Sequence, residues 1–234
     1  MKKSLGQHFL SDPRILSRIA DALGDVADAT VLEIGPGRGT LTTFLVERAG
    51  RVIAIEKDRD LLPALRRGFP AVAVAEGDAV NLDWHALVGD GRWCVAGNIP
   101  YNITSPLLEK ALTPPRPERI VFLVQKEVAD RLVADPGGGD YGAFSVGVQA
   151  AATVELLFGV PSGAFRPPPK VESAVVRLTP RDNPLIPDTD VRSFRRFVVG
   201  LFSFRRKMLR RGLRGLAGGD GETTEMILGR VGIN

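Results

Sequence analysis

The 234-residue sequence predicts an α/β fold: a doubly wound, seven-stranded and mostly parallel sheet followed by a small helical unit. Three observations carry this expectation. Short β-rich runs alternate with amphipathic stretches through the first half of the chain. The last two β-rich runs are joined by a Pro/Gly-rich loop with no helix between them. A proline-rich linker then gives way to a segment whose apolar residues recur at helical spacing.

Taken in order, Asp12-Pro13 opens a first helix, the carboxylate capping it and the proline occupying the first turn. Residues 30–34 and 51–55 are nearly continuous apolar runs of strand length, as strands buried on both faces require. The amphipathic stretches 41–48 and 58–67 supply the crossovers. Residues 71–74, 93–96 and 120–124 give the third to fifth strands. Residues 154–158 and 173–178 are the pair without a helix between them, read as antiparallel strands closing the sheet. The stretches Gly137-Gly138-Gly139 and Pro167-Pro168-Pro169 read as loops, one mobile and one stiff. The linker from Pro180 to Pro187 marks a boundary, giving an expected catalytic unit over 1–183 and a basic helical unit over 184–234. In the latter, Val191, Phe194, Phe197, Val198 and Leu201 lie on one helical face. A second helix is expected from Arg205, with Leu209, Leu213 and Leu216 on its apolar side.

Composition narrows the function classes. Hydrophobic content of 44% and charged content of 25% are those of a globular protein with a full core. No apolar run approaches the roughly 18 residues of a membrane span, and the basic start of the chain has no apolar run behind it, so neither a membrane segment nor a secretory leader is expected. The single cysteine, Cys94, excludes an internal disulfide, fits the cytoplasm, and lies in an apolar run where a buried structural role is expected. Two histidines and one cysteine leave no basis for a zinc site, and no metal is expected. The net charge of +4 is unevenly spread: nine basic residues and no acidic one lie between Arg192 and Arg214, leaving the rest of the chain net acidic. Such a block suits a polyanionic partner.

Two motifs carry chemistry. Gly35, Gly37 and Gly39 follow a strand and precede a helix, which lets backbone approach a nucleoside-containing ligand closely. Glu56, at the end of the second strand, stands where an acid binds ribose hydroxyls, and Asp78, after the third, suits an adenine amino group. The second motif, Asn98-Ile99-Pro100-Tyr101, follows the fourth strand. The amino group of adenine is a poor nucleophile, because its lone pair is delocalised into the ring. The Asn98 side-chain oxygen and the Ile99 carbonyl could accept its two hydrogens, Pro100 stiffen the turn, and Tyr101 stack on the base. A sulfonium donor already carries its leaving group, so positioning and in-line approach suffice without a strong base. A base inside a duplex must be extruded to reach such a site. Phe165 is a candidate second ring against the base, or core packing between sheet and loop. His85, beside Trp84, reads as a surface histidine.

Beyond these, the chain resembles the bacterial small-subunit rRNA adenine dimethyltransferases across nearly its whole length. The matching residues are Gly6-Gln7-His8-Phe9-Leu10-Ser11-Asp12, Glu33-Ile34-Gly35-Pro36-Gly37, Asn98-Ile99-Pro100-Tyr101-Asn102-Ile103, Gln125-Lys126-Glu127-Val128, Tyr141-Gly142 and the run from Phe165 to Val175. The resemblance implies the Rossmann-like class I methyltransferase fold, with S-adenosylmethionine as donor. The acceptors it implies are two adjacent adenosines near the 3′ end of 16S rRNA in the assembling small ribosomal subunit, each methylated twice on N6. By position it implies that His8, Leu10, Gly35, Glu56, Asp78 and Asn98 contact the cofactor, that Phe165 is the second stacking aromatic, and that the chain acts as a monomer. Binding of rRNA backbone would fall to the basic helices, through Arg195, Arg196, Arg205, Arg206, Lys207, Arg210 and Arg211. Two departures stand out: Phe204 where the family often carries glutamine, and an end at Asn234 where relatives usually continue into a last helix, so the helical unit is read as truncated.

Three other readings compete. The large-subunit rRNA methyltransferases of the macrolide-resistance type share both motifs; the triple-proline loop, Tyr141-Gly142 and the Arg205-Arg206-Lys207 helix favour the small-subunit type. A non-catalytic rRNA-binding assembly factor, or a transcription factor on the same fold, need not keep Asn98, Pro100, Tyr101 and Glu56. An NAD oxidoreductase lacks an evident acid or base for hydride transfer.

Overall fold

The computed structural model describes residues 8–204 and 209–233. Seven strands form one sheet: β2 (Thr30–Ile34), β3 (Arg51–Glu56), β4 (Ala73–Glu76), β5 (Trp93–Asn98), β6 (Arg119–Gln125), β7 (Ala152–Val160) and β9 (Ser173–Pro180). Their order is β4-β3-β2-β5-β6-β9-β7. The first five in sequence run parallel, and β9 lies antiparallel between β6 and β7. A separate two-residue pair joins β1 (Phe9–Leu10) to β8 (Phe165–Arg166).

Helices cover both faces because the strands are apolar on both. Val31, Val52, Ala54, Cys94, Ala96 and Val121 pack on one side, beneath α1 (Pro13–Asp21) and α2 (Thr40–Val46). Leu32, Ile53, Ile55, Val95, Ile120 and Phe122 pack on the other, beneath α4 (Trp84–Val88), α5 (Thr104–Ala111), α6 (Lys126–Val133) and α7 (Ala143–Gln149). Strict alternation along each strand makes the two sets. The expected strands are all present, with shifted ends: the third is two residues later than expected, and 154–158 extends to Ala152–Val160. The helix expected from residue 58 begins only with α3 (Leu62–Gly68). Asp12 caps α1 as expected, its carboxylate accepting from the Arg14 amide at 2.9 Å.

After β9 the connector is held against the sheet domain's edge, with the Arg181 and Leu185 amides donating to Ala151 and Ala150 carbonyls. Among the described residues three helices follow: α8 (Val191–Phe202), α9 (Leu209–Leu216) and α10 (Gly221–Arg230). Tyr141 meets Phe202 edge-on, and Arg116 pairs with Asp188, which ties α8 to the α/β layers. The α10 helix, capped by Asp220, was not anticipated from the sequence. Among the described residues, no helix is long and apolar enough to cross a membrane.

Candidate active site

In a parallel sheet the loops at the carboxyl ends of the strands converge on a crevice. Here that crevice is a cavity of about 200 Å³ lined by the ends of β2, β3 and β5, by the turn after β4, and by the segment His8–Leu10. All seven residues expected to contact a cofactor line it: His8, Leu10, Gly35, Gly37, Glu56, Asp78 and Asn98. Ile99, Pro100 and Tyr101 line it as well.

The glycine turn and the acid at the end of β3 are one unit. Gly37 has φ +61°, a left-handed conformation that L side chains rarely adopt, and a Cβ there would lie 2.9 Å from the Phe9 ring. Its amide donates to Glu56 Oε2 at 3.0 Å, while the Asp58 amide donates to Oε1 at 2.7 Å. Both amides thus aim the Glu56 carboxylate; burial raises its pKa, against the lowering effect of those hydrogen bonds. Asp78 is set differently. Lys57 Nζ lies 2.8 Å from its Oδ2 and the Val80 amide 3.0 Å from Oδ1, and the Lys57 hydrogen bond is the main cause of its lowered pKa. An adenine amino group reaching Asp78 must therefore share it with Lys57.

Asn98 ends β5 opposite Leu123, and its side-chain nitrogen donates to the His8 carbonyl at 2.8 Å. The orientation is forced, since a backbone carbonyl only accepts. This bond engages the nitrogen and not the oxygen of the carboxamide, and Asn98 lines the cavity. Ile99 buries its side chain in the core and its amide donates to the Leu123 carbonyl at 3.1 Å, so its main chain forms the wall. Pro100, with φ −55°, turns the chain into the short 3₁₀ turn Tyr101–Ile103, closed by the Ile103 amide on the Pro100 carbonyl. Tyr101 follows at the cavity wall, half-buried, with the His8 ring nearly parallel to it at 6.1 Å between centroids.

His8–Leu10 straps the cavity. Beyond the Asn98 bond, the His8 ring nitrogen Nδ1 lies 2.9 Å from the Pro167 carbonyl, the Ser11 amide donates to the Ala164 carbonyl, and Arg38 stacks over Phe9.

Phe165 departs from the expectation of a second ring against the base. It is fully buried and is not part of the cavity wall. The reason is its register: Phe165 stands opposite Leu10 in the β1–β8 pair, and the two side chains enter the same apolar cluster below the strap. It is core packing in this arrangement.

Two ionisable wall residues have no role legible in the sequence, Lys57, which is bonded to Asp78, and Glu33. Glu33, in the centre of an apolar strand, is 1% exposed and accepts from Thr42 Oγ1 at 2.6 Å. Burial, and to a smaller extent the Glu56 charge, push its pKa up to about 8. A charge in the run Val31-Leu32-Glu33-Ile34 was the available signal. Cys94 is buried in the core, its thiol pushed up to about 11 by desolvation, as a structural cysteine should be. His85 lies at the other end of β5, half-buried near Trp93.

Of the basic residues expected to meet nucleic acid, Arg205, Arg206 and Lys207 lie outside the described residues, as do Gly6 and Gln7 of the strap motif. Arg196 and Arg211 are exposed. Arg195 pairs with Glu109 of α5, and Arg210 with Glu225 of α10 at 3.0 Å, so these two brace the helices.

Comparison with known proteins gives this geometry a context. The profile described as ribosomal RNA adenine dimethylase matches residues 1–234. A Thiobacillus denitrificans protein named ribosomal RNA small subunit methyltransferase A is 44% identical over 218 residues, covering 92% of this chain and 85% of its own length. A Pseudomonas aeruginosa protein of the same name is 44% identical over 220 residues, covering 92% and 82%. Among solved structures, a dimethyladenosine transferase from Plasmodium falciparum superposes with a TM-score of 0.80 at 30% identity, over 88% of this chain and 75% of that one. The 23S rRNA methyltransferase ErmE superposes with a TM-score of 0.74 at 29% identity, over 97% and 91%.

Proposed function

Because the chain belongs to the ribosomal RNA adenine dimethylase family, we infer that it is an rRNA methyltransferase using S-adenosylmethionine. Its acceptors are the N6 atoms of two adjacent adenosines near the 3′ end of 16S rRNA, each methylated twice, in the assembling small subunit. The observation that carries this reading is the Asn98 carboxamide, pinned through its nitrogen so that its oxygen stays an acceptor beside Tyr101.

The cavity's chemistry fits the donor. Glu56 offers a carboxylate to ribose hydroxyls, Asp78 an acceptor to the adenine amino group, and the Gly35–Gly37 turn leaves backbone bare where a nucleoside approaches. When bound, S-adenosylmethionine supplies an electrophilic methyl on a sulfonium that is its own leaving group. The chain's residues do the rest. Tyr101 stacks on the extruded base, and Asn98 Oδ1 and the Ile99 carbonyl accept the two N6 hydrogens, drawing the nitrogen lone pair out of the ring and toward the methyl. His8 and Leu10 close the cavity over the cofactor and exclude water. The methylated amine sheds its proton readily, so the cavity needs no dedicated base.

In this reading residues 1–183 form the catalytic unit, and 184–234 the basic helical unit that grips rRNA backbone. Arg196, Arg211, Arg205, Arg206 and Lys207 are its phosphate contacts, and the chain works as a monomer in the cytoplasm. The ErmE likeness keeps a second acceptor in view, large-subunit rRNA. The 44% identical small-subunit methyltransferases favour 16S rRNA. Labelled methyl transfer into unmethylated small subunits, with 23S rRNA in parallel and the modified nucleosides identified, decides between them. Dimethyladenosine in the small subunit alone supports the reading. Label in 23S rRNA moves the chain to the other acceptor, and no label with cofactor bound leaves a non-catalytic assembly role.

A further inference from the structure

A ring that receives a base must hold one plane while its face stays open. Tyr101 is held at its hydroxyl, which lies 2.8 Å from Ser173 Oγ. Ser173 is fully buried and is not part of the cavity wall. It opens β9, paired with Gln125 of β6 on one side and Val160 of β7 on the other. Its backbone is therefore fixed from both sides by the sheet. A hydroxyl with no exposure is tolerated only when hydrogen-bonded, and the Tyr101 phenol supplies that bond. The next three β9 residues, Ala174, Val175 and Val176, are apolar and buried, so Ser173 is the polar group at this end of the strand.

We propose that Ser173 is a positioning residue for the methyl acceptor. Its hydroxyl anchors the tip of the Tyr101 ring to a strand paired on both sides, fixing the plane on which the target base stacks and the depth at which its amino group meets Asn98. The inference rests on the reading of Tyr101 as the stacking ring and adds what holds that ring. Without the anchor the ring turns about its side-chain torsions, and a misplacement of about 1 Å at a reacting pair can cost on the order of a hundredfold in rate. Loss of one neutral hydrogen bond alone is worth about tenfold. Among the contacts described, the Ser173 side chain bonds to none of the residues expected to contact the cofactor.

The test compares the unaltered chain with Ser173→Ala, Ser173→Thr, Tyr101→Phe and the Ser173→Ala/Tyr101→Phe double variant. Methyl transfer into unmethylated small subunits, S-adenosylmethionine affinity by calorimetry and thermal melting are read for each. Ser173→Ala and Tyr101→Phe should each lower kcat about tenfold with cofactor affinity unchanged. The double variant should fall no further than either single, since both remove the same bond. Ser173→Thr, which keeps the hydroxyl, should restore transfer above the Ser173→Ala level. Undiminished transfer by Ser173→Ala, multiplying losses in the double variant, or losses that track cofactor affinity and melting would each overturn the proposal. Absence of transfer by the unaltered chain overturns the functional reading and the inference with it; transfer by the unaltered chain separates the two.

Discussion

Asn98 fastens the strap at His8 through its side-chain nitrogen, and in the proposed mechanism its oxygen meets the acceptor. Asn98→Ala removes both, and kcat should fall by about a hundredfold or more while small-subunit binding persists, as measured by labelled transfer and sedimentation. Glu33 gives a second prediction at this scale. Its native pKa of about 8 lies above the ordinary 4.5. The native state is therefore favoured by this group below about pH 4.5, and that advantage is lost as pH rises through 8. Glu33→Gln keeps the shape and removes the titration. Melting curves from pH 5 to 9 should show the unaltered chain losing stability across this window and the variant losing much less. Equal slopes for both would show that Glu33 is charged in the folded protein. The sequence shows only a charge inside an apolar strand, not this titration. A pKa is set by what surrounds a carboxyl, and the surroundings of Glu33 come from α2 through Thr42.

At the level of elements, the glycine turn, the strap and the β1–β8 pair are joined through single atoms. Gly37→Ala places a Cβ in a left-handed conformation and against Phe9, at a cost of about 1–2 kcal/mol locally. Because Phe9 also meets Arg38, the strap is displaced with it. Cofactor affinity measured by calorimetry should drop about tenfold, while far-ultraviolet dichroism stays unchanged. An unchanged affinity would show that the turn tolerates the methyl. The strands and the glycine turn were legible because their signals are local: apolar runs of the right length, and glycine where the chain must bend. The strap was legible only as a motif. Its pairing with Phe165–Arg166 spans more than half the chain, and two-residue strands carry no periodicity to read. The same pairing sets the place of Phe165. Its place in the motif spoke for a stacking ring, whereas its register opposite Leu10 turned it into the core.

For the whole molecule, charge and topology matter most. The basic helices concentrate positive charge on one part of the surface, which composition alone revealed. Which of these exposed arginines already have a protein partner it could not reveal: Arg195 is paired with Glu109 and Arg210 with Glu225. Arg196→Ala and Arg211→Ala should each weaken small-subunit binding and reduce the slope of log affinity against log salt by about one. Arg195→Ala should change that slope less and instead lower the melting temperature; identical slopes for all three would refute the distinction. The sheet order has a consequence for the chain's birth. Within the sheet β7 is bonded to β9 alone, and β9 also provides the seat for the Tyr101 hydroxyl. A nascent chain that has delivered β7 but not β9 thus has an unpaired strand and a Tyr101 hydroxyl without its Ser173 partner, however well its glycine turn has formed. Competence for methyl transfer arrives late in synthesis, when the strand made last slots between two made earlier, and a polypeptide released before residue 180 leaves the ribosome exposes an open edge ready to aggregate.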